Sequence, residues 1–149
     1  CAKHLANAGY CLRSGGAKGA DVAFSNAVKS TGLFQIYLPA TRFNGFVHDG
    51  LNVLGPPKDD ARKLAKKFHP NWSGLSDLGR DFMARNCYQV LGVDLETPVE
   101  FILCWTPGGK ITGGTGQALR MAQEYEIPVV NFATETDDFI SDFITSKGS

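Results

Sequence analysis

A chain of 149 residues is long enough for one domain with a substantial buried core, and 43% hydrophobic residues is an ordinary share for such a domain. Fifteen basic residues balance fifteen acidic ones, so no global positive field draws the chain to DNA or an anionic membrane, although neutrality still permits a local basic stripe. No apolar run has membrane length and no signal peptide is visible, so a single domain over residues 1–149 is expected in the cytoplasm.

Cys1 to Asn7 reads as the last turns of a helix, with Leu5 and Ala6 inward and Gly9 as its stop. Tyr10 to Arg13 reads as a short strand. It runs into the glycine-rich turn Ser14-Gly15-Gly16-Ala17-Lys18-Gly19-Ala20-Asp21, after which a helix to about Ser30 turns Val22, Ala23, Ala27 and Phe24 inward. Phe34 to Leu38 is the next strand, closed by Pro39. Ala40 to Pro57 has no regular period and predicts a long loop, a class that often serves as a lid or binding loop.

Asp59 to Phe68 predicts a helix, with acidic residues at its start and Lys66 and Lys67 at its end, as the macrodipole favours. Ser76 caps a longer helix whose stripe is Leu78, Phe82, Cys87 and Leu91, with Arg80, Arg85, Asn86 and Gln89 on the polar side; Gly92 ends it. Phe101 to Trp105 is a strand, and a helix after Gly114 runs to about Tyr125. Ile127 to Phe132 is the last strand, and Phe139, Ile140, Phe143 and Ile144 make a short amphipathic tail.

Strands alternating with helices imply a mainly parallel sheet covered on both faces, an α/β fold. Ligands of such sheets bind beyond the carboxyl ends of the strands. Two glycine-rich turns lie at such ends, one after Arg13 and one after Trp105, the second carrying five glycines between Phe101 and Arg120. Glycine admits positive φ and close backbone approach, and the free N–H groups of a helix's first turn face an anion. Together they point to a nucleotide or sugar-phosphate site.

Individual side chains leave alternatives open. Arg13 is a phosphate fork or a surface cation paired with a carboxylate. Lys18 neutralises a phosphate or is a solvated loop lysine. Asp21 stabilises the first turn of its helix, binds a ribose hydroxyl or holds a metal-bound water. Thr106, Thr112 and Thr115 donate hydroxyls to phosphate or cap the helix. Trp105 and Phe43 stack on a base or belong to the core. Lys63, Lys66 and Lys67 form a basic face that contacts nucleic-acid phosphates or is merely solvated. His4, His48 and His69 are scattered and read as surface or loop residues. The four cysteines form no CxxC pair and have no close histidine, so no metal site is expected, and Cys11 and Cys104 read as small core hydrophobes.

Leu12 to Asp21, Ile36-Tyr37-Leu38-Pro39, Phe43-Asn44-Gly45, Ala84-Arg85-Asn86, Gln89-Val90-Leu91-Gly92 and Cys104-Trp105-Thr106-Pro107 resemble one group over nearly the whole chain. The group is the phage and bacterial DprA-like proteins of the SLOG superfamily, which also holds the Smf/DprA recombination mediators and LOG-type nucleotide phosphoribohydrolases. The resemblance implies a Rossmann-like sheet with a nucleotide-type pocket, in the cytoplasm of a bacterium or phage-infected host. Its ligand-contacting positions would be Arg13, Ser14, Gly15, Gly16, Lys18, Gly19 and Asp21 in the first turn, and Arg85 and Asn86 on the long helix. Thr106, Pro107, Gly108, Gly109, Gly113, Gly114, Thr115 and Gly116 would serve in the second.

Two departures qualify this. Family members begin with a strand and a Gly-x-Gly-Ser-Arg turn that the residues from Cys1 onward do not contain, so the 1–149 domain is expected to be N-terminally incomplete, with the sheet open and one pocket wall missing unless something else fills the gap. LOG-type enzymes carry a glutamate three residues past Gly-Gly-x-Gly-Thr, where this chain has Arg120; an arginine cannot replace that carboxylate, and Glu124 is a weak substitute. The leading expectation is therefore a nucleotide-binding sensor or sequestering protein with no certain cofactor, whether as a monomer or a homo-oligomer. A DprA-like mediator on single-stranded DNA comes second, and a LOG-like N-glycosidic hydrolase third.

Overall fold

The computed structural model describes residues 1–110 and 113–147. The chain begins with α1 (Ala2–Asn7), which buries Leu5 and Ala6, and passes into β1 (Leu12–Ser14). The glycine turn leads to α2 (Ala20–Val28), continued by a tighter turn over Lys29–Thr31 and stopped at Gly32 in the left-handed region. β2 (Phe34–Tyr37) follows. The segment expected as loop instead holds β3 (Arg42–Phe43), β4 (Phe46–Val47) and β5 (Val53–Leu54).

β3 and β4 pair antiparallel around Asn44 and Gly45, both at positive φ, as a tight two-residue hairpin turn requires. The chain after the hairpin is ordered by Asp49, whose carboxylate accepts from the N–H groups of Val53, Leu51 and Asn52; these bonds hold its pKa below the usual carboxylate range. The second half comprises α3 (Asp59–Phe68), α4 (Asp77–Leu91), β6 (Ile102–Cys104), α5 (Gly113–Glu124), β7 (Val129–Asn131) and α6 (Asp137–Lys147).

The fold is mixed α/β with short, mainly parallel sheets. β1 pairs β2 with Leu12 opposite Phe34 and Ser14 opposite Ile36, and β2 pairs β5 with Ile36 opposite Val53. β6 pairs β7 with Ile102 opposite Val129 and Cys104 opposite Asn131. Among the described residues no ladder joins β1 to β6. Residues of both strands line one cleft instead.

The core forms around α4. Ala61 and Ala65 of α3 and Ala84 of α4 let these helices approach closely, while Met83, Cys87, Tyr88, Val90 and Leu91 of α4 share one buried cluster with Met121 and Ala122 of α5. Tyr37 of β2 stacks on Tyr88 at 5.5 Å between ring centroids. The Tyr88 hydroxyl accepts from the Lys58 N–H and lies 3.3 Å from Asp60 Oδ1, anchoring the start of α3.

Several expected inward faces change. Leu78 is 56% exposed, whereas Arg85 and Asn86 are buried, because α4 is surrounded by elements on almost every side along its second half. In α2, Ser25 and Val28 are buried and Ala23 and Ala27 exposed. Cys11 is exposed rather than core, since it precedes the paired residues of β1, and Cys104 is half-buried. Trp105 is 57% exposed just beyond β6, which argues against the core reading for it.

Candidate functional site

The cleft between β1 and β6 has a volume of about 890 Å³, within the range of small-molecule sites. α1, α2, α4 and the first turn of α5 close round it. Its carboxyl end is where the two glycine turns come together, and the contacts that hold them there run through two adjacent residues of α4.

Arg85 is 6% exposed. Its Nη1 donates to the carbonyl oxygens of Gly15 and Tyr37, and its Nε donates to Asn86 Oδ1 at 3.0 Å. Asn86, 5% exposed, then donates from Nδ2 to the carbonyl of Gly114 at 2.9 Å. The pair therefore forms a continuous polar link from the first glycine turn to the start of α5. Gly15 is required for it, because a Cβ there would overlap the Arg85 guanidinium. The rings of Phe43 and Phe82 flank the cation at 5.8 and 5.2 Å. Burial lowers the Arg85 pKa to about 10, with the Asp21 carboxylate opposing that effect.

The first turn is not empty of charge. Asp21, in the first turn of α2, accepts at Oδ2 from the N–H groups of Gly15 and Ala17, each at 3.2 Å. The hairpin closes over the same turn: Asn44 Nδ2 donates to the Gly16 carbonyl at 3.3 Å, and the Phe46 ring lies against the Gly16 α-carbon. Gly16 and Gly19 both take positive φ. Ser14, the last residue of β1, is 2% exposed, and its Oγ has no hydrogen-bond partner among the described residues. Ser14 and Asp21 both line the cleft. Lys18 is exposed and lies outside the lining.

At the second turn, Gly114 and Thr115 line the cleft, and Gly116 is buried one residue on. Gly113 has φ of 64°. Thr106 is buried, and its hydroxyl accepts from Asn131 Nδ2 at 2.7 Å, tying the end of β6 to the end of β7. Pro107, Gly108 and Gly109 form a short 3₁₀ turn outside the lining, with Gly108 and Gly109 at positive φ. Thr112 lies outside the described residues.

Of the other charged candidates, Arg13 also lines the cleft, but its guanidinium is already engaged there, and the rest lie outside the lining. Arg13 donates from Nη1 to the Thr97 carbonyl at 2.6 Å and lies against Gly92, at the C-terminus of α4. Arg120 donates from Nε to the Phe68 carbonyl at 2.9 Å and from Nη2 to Gln117 Oε1, so it serves the C-terminal end of α3. Glu124 is exposed at the end of α5, outside the cleft lining, and Lys63, Lys66 and Lys67 are exposed on α3, also outside it. Among the described residues no three of His, Cys, Asp or Glu come together as a metal site.

Comparison with protein-family models, with curated proteins and with solved structures finds no significant match. The chemistry of the cleft therefore rests on its own residues: a buried guanidinium, a buried hydroxyl without a partner among the described residues, a carboxylate with one oxygen engaged, and a helix start rich in glycine.

Proposed function

We propose that the chain is a Rossmann-like module of the SLOG type that binds a nucleotide or a nucleotide-derived small molecule at the carboxyl end of the β1–β6 cleft, as a sensor or sequestering protein. The observation that carries this reading is the Arg85–Asn86 link, which brings the start of α5 and the first glycine turn to one cleft. The N–H groups of Gly114 to Gly116 suit an anionic group, and the α5 dipole favours one there. Trp105, exposed at the rim, offers a stacking face for a base.

Arg120, at the place where LOG-type enzymes carry a glutamate, donates to the Phe68 carbonyl outside the cleft, which favours holding over hydrolysis. The test is a thermal shift measured across nucleoside mono-, di- and triphosphates and dinucleotides, with single-stranded DNA as a separate arm. Stabilisation by one nucleotide class, lost on Asn86→Ala, is expected. Stabilisation by single-stranded DNA alone, falling steeply with salt, would instead establish the mediator reading.

A further inference from the structure

The turn from Ser14 to Asp21 has the sequence of a phosphate cradle, but its two inward donors are already engaged. Gly15 N–H and Ala17 N–H both point at Asp21 Oδ2. A phosphate on those donors would displace a carboxylate or sit beside it, and like charges in contact repel. What the turn offers the cleft is the reverse: hydrogen-bond acceptors.

Asp21 Oδ1 receives no donor from the described residues, so one carboxylate oxygen remains for an incoming O–H group. The Gly15 amide that holds Oδ2 is bonded directly to Ser14, which brings the carboxylate close to that residue. The Ser14 hydroxyl is buried and without a partner among the described residues, an arrangement that costs stability unless something in the cleft completes it. A hydroxyl both donates and accepts, and a carboxylate only accepts. Two adjacent hydroxyls on a ligand satisfy both, one donating to Asp21 and the other exchanging a hydrogen bond with Ser14.

We infer that Ser14 and Asp21 form a subsite for a vicinal diol, and that phosphate is held across the cleft at the start of α5. This rests on the nucleotide reading above and narrows it to ribonucleotide-type ligands with free sugar hydroxyls. Single-stranded DNA has no such diol, since it lacks the 2′-hydroxyl and its internal 3′-oxygens are esterified.

The test titrates the four ribonucleoside 5′-monophosphates, their 2′,3′-dideoxy counterparts and inorganic phosphate, by calorimetry, into the wild-type chain and into Asp21→Asn and Ser14→Ala. The amide introduced by Asp21→Asn keeps an oxygen for the Gly15 and Ala17 N–H groups, and the Ser14→Ala arm together with the wild-type sugar comparison stands if that variant fails to fold. Expected is at least tenfold tighter binding of the ribo over the dideoxy form. Each substitution should shrink that ratio by weakening the ribo form and leave the dideoxy affinity unchanged. Equal affinity for both sugars in the wild type overturns the diol subsite and leaves nucleotide binding intact. Tighter inorganic phosphate binding by Asp21→Asn also overturns it, because the turn would then be a phosphate cradle that Asp21 blocks. Absence of binding by these compounds and by the di- and triphosphates and dinucleotides of the thermal-shift series removes the nucleotide reading and this inference together.

Discussion

Replacing Arg85 with methionine tests whether the buried guanidinium is a structural member of the fold. Methionine keeps much of the length and the contact with Phe43 and Phe82 but leaves the oxygens of Gly15, Tyr37 and Asn86 without their donor. Hydrogen bonds from a charged donor contribute about 1.5–3 kcal/mol each. Against them stands the cost of burying the cation: lowering its pKa from 12.5 to about 10 corresponds to about 3 kcal/mol. The difference leaves a net destabilisation of about 3 kcal/mol, on the order of 6–12 °C in Tm for a domain of this size. Urea titration of the ligand-free protein, followed by circular dichroism, reads it as a lower midpoint at unchanged slope. A loss below about 1 kcal/mol would refute the reasoning, by showing that water satisfies the three oxygens as well as the guanidinium does.

Alkaline pH should expose a second buried group. Burial pushes the Cys87 thiol up to about 12, so its contribution is complete below the thiol's unfolded range and is lost as pH rises towards 12. Between pH 9 and 11 that loss is about 2–3 kcal/mol, and Cys87→Ala, although less stable at pH 7, should show a correspondingly shallower decline in urea titrations. Parallel pH profiles for the two proteins would contradict it. At the start of α4, Ser76 Oγ accepts from the Gly79 N–H at 3.1 Å, so Ser76→Ala should cost about 1 kcal/mol while Ser76→Asp costs almost nothing, read from chemical denaturation midpoints.

Much of the architecture is visible in residue order. Helix ends at Gly9, Gly32 and Gly92, the acidic start and basic end of α3, and the strand at Phe34 all follow from local chemistry. β5 and the hairpin escape notice because two-residue strands carry no period, and their order comes from Asp49 and from Asn44 reaching Gly16, contacts that sequence spacing does not display. The inward placement of Arg85 and Asn86 runs against a hydrophobic stripe, and the only signal for it is the resemblance in the Ala84-Arg85-Asn86 motif. Asp21 is readable as three things, and only the positions of the Gly15 and Ala17 amides show which of its oxygens is engaged. Arg13 reads as a phosphate fork or as a surface cation paired with a carboxylate because charge is visible in a sequence, while the Thr97 carbonyl that accepts from it, 84 residues along the chain, is not.

The gap between the two parallel sheets has a mechanical consequence. A continuous parallel sheet resists shear because each strand is riveted to the next, but here that stiffness ends at β1 on one side and β6 on the other. α4 is the beam across the break, reaching one side through Arg85 at Gly15 and the other through Asn86 at Gly114. A ligand held by Ser14 and Asp21 at one end and by the first turn of α5 at the other would add a second cross-brace. Its effect on the vibrational freedom of the two sheets would then exceed what its own few contacts suggest, with the loss of entropy spread to strands that it never touches.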